Sequence, residues 1–412
     1  MKTLIKNARI IDSKSEFHLK KMDILVEDGS ILEIGTQIIV DAEMIIEDSD
    51  LHVSIAWTDM HANFCDPGFE HKEDIQSGCK AALAGGFANV LTMPLTFPIT
   101  HNKAQIEYQK NRAQNTGVNL LPAGTITFEA NGVDLSEMYD MYLSGAIAFT
   151  DDKNTLTNPD VMRRALYYSK QFNGLVISVP NDKKITREGQ MNEGIMSTQL
   201  GLKGMPTLAE DLLVVRDLYL AEYCEAPIHF SCVSSAHAID LIRKAKAKGQ
   251  AVTCDVAFYS LCLNDSLLEE FDTNYKLSPP LRTEENRMAL IKGLIDGTID
   301  AIVSDHTPQN IEEKECEFDH AAFGMAGIET VFSALNHFIG SDVNMETLIE
   351  KLSYGPNEIL KIQSPSISNG SKNVKLTCFS PSKKVVYSRL KSKSENNPFL
   401  NLELKGCVID VI

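Results

Sequence analysis

Apolar and polar positions alternate over short runs in the first 50 residues. Thr3-Leu4-Ile5 and Ala8-Arg9-Ile10-Ile11 are two such runs. Asp23-Ile24-Leu25-Val26 and Ser30-Ile31-Leu32-Glu33-Ile34 flank Glu27-Asp28-Gly29, and Asp-Gly between such runs predicts a β-hairpin. Further along, short apolar runs recur at near-regular intervals with helical stretches between them, as repeated βα units require. Strands are predicted at Ser54–His61, Ala88–Met93, Asn119–Ile126, Ala146–Thr150, Leu175–Val179, Ile228–Val233, Ala251–Ala257 and Ala301–Ser304. Helices are predicted at Ile75–Ala84, at the amphipathic Leu208–Tyr223, and at Ala236–Lys248, which ends in the stop signal Lys-Gly. Beyond about Pro365 the texture returns to β at Lys375–Phe379, Lys384–Tyr387 and Gly406–Ile412, after a loop at Ser364–Lys372.

Eight βα units predict an α/β fold, a TIM (β/α)8 barrel over residues 53–359. The terminal β segments, 1–52 and 360–412, predict one small β-rich domain beside it. A chain of 412 residues accommodates a barrel of about 250 residues and a smaller domain. Barrel enzymes carry their chemistry at the C-terminal strand ends, so candidate site residues are sought there.

Charge removes some partners from consideration. A net charge of −17 argues against nucleic-acid binding and against docking on an anionic membrane. No apolar run reaches the roughly 18 residues of a membrane span, and the first residues do not read as a signal peptide. Nine cysteines, an odd number without a CxxC pair, read as free thiols in a reducing compartment. A cytoplasmic location is expected.

The first barrel strand runs into Thr58-Asp59-Met60-His61-Ala62-Asn63-Phe64-Cys65-Asp66-Pro67-Gly68. Lys72-Glu73-Asp74, Gly85-Gly86, Met93-Pro94-Leu95-Thr96, Ser278-Pro279-Pro280-Leu281-Arg282, Ser304-Asp305-His306-Thr307-Pro308 and Phe323-Gly324 follow in order. In order and spacing, from Lys2 to about Leu360, this series resembles class I dihydroorotases of the amidohydrolase superfamily. The resemblance implies opening and closing of a cyclic amide, with zinc lowering the pKa of a bound water so that it can attack a carbonyl. Zinc takes imidazole, thiolate or carboxylate ligands, and two His at alternate strand positions point the same way.

The chain departs from that pattern. Where the family has HxH it reads His61-Ala62-Asn63, and asparagine is a poor zinc ligand. The fifth strand, Val176-Ile177-Ser178-Val179, brings no His, and none lies between His101 and His229. Cys232 stands at the sixth-strand ligand position. The resemblance leaves a remnant metal set of His61, Asp151, Cys232 and Asp305, with either Asp151 or Asp152 matching the family ligand. Asp305 matches the family's metal ligand and general base, here vestigial. The family's substrate readers are an Arg, two Asn and a His. Cys65, Leu95, Ser278 and Gln309 replace them, and each lost charge-assisted contact costs on the order of 1–3 kcal/mol.

Bland readings compete with these. His229 and His237 are expected to be structural, and Lys72-Glu73-Asp74 to be a helix-start cluster. Loop-shaping residues persist at Pro67-Gly68, Gly85-Gly86, Pro279-Pro280 and Phe323-Gly324 while metal and substrate positions change. That contrast, with the resemblance, implies a dihydroorotase-like protein of pyrimidine biosynthesis that is catalytically inactive. Its role would be that of a structural partner, with aspartate carbamoyltransferase as the candidate. A homo-oligomer, most simply a dimer, is expected. No cofactor is expected, zinc being the ion if a site survives. The alternative is an active zinc-dependent cyclic amidohydrolase with a reduced metal site.

Overall fold

A computed structural model describes residues 1–412. The two halves of the hairpin, Lys21–Glu27 and Ser30–Gly35, pair antiparallel. Asp28 and Gly29 take φ of 47° and 72°, the left-handed values that a two-residue hairpin turn requires. Lys2–Ile10 lies beside the hairpin and His52–Ile55 beside Lys2–Ile10. Leu376–Val386 and Glu403–Val411 complete the sheet antiparallel, so strands from both chain ends share one seven-stranded sheet.

The barrel strands are Trp57–Ala62, Phe87–Thr92, Asn119–Pro122, Ala148–Phe149, Leu175–Ser178, Ile228–Phe230, Val252–Ala257 and Ala301–Val303. All named pairings among them are parallel. Single bridges join the third strand to the fourth at Gly124–Phe149 and the first to the eighth at Ala62–His306, closing the ring. The predicted barrel with a β-rich domain from both termini is therefore the observed architecture.

Two strand expectations change. The strand expected at Ser54–His61 is two strands: His52–Ile55 pairs with Leu376–Phe379 in the terminal sheet, and Trp57–Ala62 opens the barrel. Asn119–Ile126 ends at Pro122, because the N–H groups of Ile126 and Thr127 turn to the Asp151 carboxylate instead. The C-terminal segment also does more than extend the terminal sheet. Phe399 is buried in the barrel core, and the Asn396 amide donates to the Thr307 and Gly324 carbonyls, tying down the loops after the eighth strand.

Trp57 joins the two bodies. Its ring is buried against Phe87 and Phe332 from the barrel and Phe379 from the terminal sheet. Gly86, at φ 92°, lies against that ring, and a Cβ there would come within 2.6 Å of it. No helix is long and apolar enough to cross a membrane.

Candidate active site at the barrel mouth

The strand ends converge as the fold requires. His61, at the end of the first strand, is fully buried. Its Nδ1 lies 2.9 Å from Ser231 Oγ and 3.7 Å from Cys232 Sγ. Its Nε2 lies 3.1 Å from Asp152 Oδ1 and 3.5 Å from Asp305 Oδ1. Burial alone would lower the pKa of His61, but Cys232 and Asp152 outweigh it and hold the imidazole well above its ordinary range. Burial pushes the Cys232 thiol up to about 11. At neutral pH that sulfur is uncharged, which leaves the Asp152 carboxylate as the nearest charge to His61.

Of the acidic pair, Asp152 is the one that faces the centre. Asp151, the member of the pair named in the remnant metal set, turns away from the centre: its carboxylate accepts from the Ile126 and Thr127 N–H groups, each at 2.9 Å, and from Thr127 Oγ1 at 2.5 Å. It pins the turn after the third strand. Asp152 reaches inward with φ 49°. Cys65, Cys232 and Asp305 share this left-handed backbone at φ 58°, 57° and 45°. Such conformations are costly for non-glycine residues and gather at functional strand ends.

Asp305 is the most heavily engaged carboxylate. Lys153 Nζ donates to its two oxygens at 2.8 and 2.9 Å, and Tyr259 OH donates to Oδ2 at 2.7 Å. Lys153 also donates to the Ser278 carbonyl oxygen. Lys153 is the functional residue that sequence reasoning missed. Its signal was a basic residue directly after the acidic pair on the fourth strand.

Cys65, Leu95, Ser278 and Gln309 do come together. They line one cavity of about 440 Å³ with Asn63, Asp152, Lys153 and Thr307, within the size range of small-ligand sites. None of the four brings a charge. Burial pushes the Cys65 thiol up to about 12, leaving it neutral. Gln309 is already used: its Oε1 accepts from Lys72 at 2.8 Å and its Nε2 donates to the Phe323 carbonyl at 2.8 Å. The Asn63 side-chain amide donates to Thr307 Oγ1 at 3.4 Å.

The structural expectations fare as follows. His229 is buried between Thr253 Oγ1 and the Asp255 carboxylate, each at 2.8 Å, and Asp255 also takes the Cys232 N–H at 2.6 Å. It is a positioning pair for the sixth-strand end. His237 sits in the first turn of the helix Ala236–Ala247, away from the centre. Asp74 caps Ile75–Ala84, while Glu73 is buried with Ser77, Ser392 and His306 around it.

A closed barrel with a polar centre of imidazole and carboxylates at its C-terminal mouth, beside a β domain built from both termini, defines an amidohydrolase-type protein. The solved structures agree on the fold. L-hydantoinase (dihydropyrimidinase) from Arthrobacter aurescens superposes with a TM-score of 0.85 at 21% identity, covering 100% of this chain and 94% of that one. Dihydropyrimidinase from Brevibacillus agri NCHU1002 gives 0.82 at 20% identity, with 100% and 94% covered.

Sequence likeness is more specific. Residues 52–238 match the family described as Dihydro-orotase-like. A curated dihydroorotase of Geobacter metallireducens is 41% identical over 411 residues, 98% of this chain and 96% of its own length. One from Ruminiclostridium cellulolyticum is 40% identical with the same coverage. The chain belongs to the dihydroorotase-like family.

The donors present do not fit the two-metal zinc centre implied by the family resemblance. Asn63 replaces a second imidazole, and the fifth strand offers Ser178, whose hydroxyl is bound to Asp217 at 2.8 Å. What remains is one group: ligand atoms of His61, Cys232 and Asp305 lie within 4.8 Å of one another, all buried. An ammonium already sits on the carboxylate of that group.

Proposed function

We propose that this dihydroorotase-family chain acts in pyrimidine biosynthesis as a non-catalytic member, a structural partner whose fold is kept for its surfaces. The observation that supports this reading is the state of Asp305. The carboxylate placed to act as a base is held by Lys153 and Tyr259, and it must break those contacts before it can accept a proton. Cys65, Leu95, Ser278 and Gln309 add to it: they stand uncharged where the family resemblance places the substrate readers, although Lys72, Lys183 and Arg187 line other parts of the same cavity.

The aspartate carbamoyltransferase of the same organism is the candidate partner, and a two-fold homodimer the candidate assembly. Co-expression of the two proteins, followed by gel filtration with light scattering, tests it. A stable interface of on the order of 1,200–2,000 Å² should survive the column. Separate elution at micromolar concentration counts against the partner role.

A second reading has its own support. It is an active cyclic amidohydrolase, a dihydroorotase or related ring-opening enzyme, working with one metal on His61, Cys232 and Asp305. The names of the relatives at about 40% identity favour this reading more directly than the first. Turnover of dihydroorotate, in either direction, decides for it.

A further inference from the structure

We propose that the Lys153 ammonium is the resident cation of the barrel centre, seated on the donors where a divalent ion would sit, and that it keeps such an ion from a three-donor site the chain still carries. The inference deepens the non-catalytic reading and rests on it.

Charge comes first. Two carboxylates, Asp152 and Asp305, are nearly wholly buried at the ends of the fourth and eighth strands. Uncompensated buried charges are not tolerated, so each needs a cation. Asp152 has His61 at 3.1 Å, and Asp305 has Lys153 at 2.8 Å. Asp305, the carboxylate of the three-donor set, thus already has a counter-ion supplied by the chain.

Geometry comes next. A metal on His61, Cys232 and Asp305 needs a carboxylate oxygen of Asp305 directed at it. Both oxygens are engaged by the Lys153 Nζ, and Tyr259 OH adds a third hydrogen bond on Oδ2. The lysine is anchored from a second side by the Ser278 carbonyl. Its ammonium and a metal ion would compete for the same two oxygens, and close approach of an ammonium and a dication is repulsive. Lys153 is the occupant that the fold itself supplies, attached one residue beyond Asp152.

The donors behind the lysine are otherwise intact. His61, Cys232 and Asp305 present imidazole, thiol and carboxylate within 4.8 Å, a set that suits zinc or cobalt. Removing the ammonium therefore exposes a single-ion site and also leaves Asp305 in need of a cation. The two effects act in the same direction.

Cobalt(II) and zinc are the probes. Wild-type protein, Lys153→Gly, Lys153→Met, and Lys153→Gly combined with Cys232→Ser are equilibrated with each ion. Bound metal is measured by elemental analysis, and thiolate-to-cobalt charge-transfer absorption reports ligation by Cys232. Circular dichroism shows which variants are folded, and Lys153→Met preserves the bulk of the side chain in case glycine at 153 loosens the strand end. The expected result is little metal on the wild type and about one ion per chain on a folded Lys153 variant. Affinity should rise by on the order of 10–100-fold, the scale on which groups around a metal act. The charge-transfer band should vanish when Cys232→Ser is added. A wild type that holds an ion with the thiolate band overturns the inference. So do folded Lys153 variants that bind no better than the wild type. Dihydroorotate turnover by the wild type is measured alongside: turnover defeats the non-catalytic reading, whereas failed uptake by the variants with no wild-type turnover defeats this inference alone.

Discussion

Asp152 Oδ1 lies 3.1 Å from His61 Nε2, while Asp151, its neighbour in sequence, turns the other way to the Ile126 and Thr127 amides. Both lie past the end of the strand Ala148–Phe149, and the left-handed backbone of Asp152, at φ 49°, separates the directions of the two side chains. Both partners of the His61–Asp152 pair are essentially unexposed. Asp152→Asn should therefore destabilise by on the order of 3–5 kcal/mol, because the imidazolium loses its nearest carboxylate. Urea denaturation at neutral pH measures it. A loss under about 1 kcal/mol would mean that the pair is not ionised in the folded protein.

Much of this was legible in the chain. The hairpin around Asp28-Gly29, the eight strands and the helix Ile75–Ala84 follow from period and turn chemistry, which are local properties. Trp57 marks where local reading runs out. His52–Ile55 and Trp57–Ala62 read as one apolar run, and only pairing with Leu376–Phe379, more than 300 residues away, separates them. The site shows the same limit. His61, Cys232 and Asp305 could be named from the motifs. The choice between Asp151 and Asp152 depends on side-chain direction after an irregular turn. Lys153 could not be placed either, because its carboxylate partner is 152 positions along the chain.

Arg282 shows how a surviving motif residue can serve the fold. Its guanidinium is buried, donating to Ser234 Oγ at 3.0 Å, Asn192 Oδ1 at 3.0 Å and the Met205 carbonyl at 2.8 Å, with Glu210 at 3.5 Å. Glu210 in turn accepts from the Ser234 and Ser235 amides at 2.8 and 2.9 Å. Arg282→Met should leave Glu210 buried without a counter-ion and cost on the order of 3–5 kcal/mol. Combining it with Glu210→Gln should recover part of that loss, since both charges then go. A double-mutant cycle in urea reads the coupling, and additive losses would show that the two residues act independently.

Lys314 links stability to alkaline pH. It is buried, donating to the Thr273 and Ala322 carbonyls at 2.7 and 2.8 Å, and it braces the loop that carries Phe323 to the mouth. Burial, with Lys276 nearby, lowers its pKa to about 8. The unfolded chain keeps this proton up to the ordinary lysine range. Between about pH 8 and 10.5 the unfolded state therefore binds more protons, and stability rises with pH. The difference between wild type and Lys314→Met should shift in favour of the wild type across that window. The slope approaches about 1.4 kcal/mol per pH unit where only the unfolded chain is protonated. A pH-independent difference would show that Lys314 is not depressed.

Restoring the missing imidazoles should not restore dihydroorotate turnover. Asn63→His and Cys232→His would return two nitrogens to the strand ends, but three obstacles remain. Lys153 still donates to both oxygens of Asp305, so the base stays engaged. The fifth strand still offers Ser178 bound to Asp217 in place of a ligand. The mouth still presents Cys65, Leu95 and Gln309 at the positions where the family resemblance implies an Arg, an Asn and a His as substrate readers. Adding Lys153→Gly removes the first obstacle and should raise metal content with little gain in rate, because each absent substrate contact still costs on the order of 1–3 kcal/mol. Assays in both directions, on wild type and on each variant, give the answer. Turnover by the wild type in the ordinary enzyme range of roughly 1–1000 per second would establish the one-metal hydrolase instead. A large rate gain on Lys153→Gly alone would mean that the ammonium, and not the altered wall, holds the chemistry back.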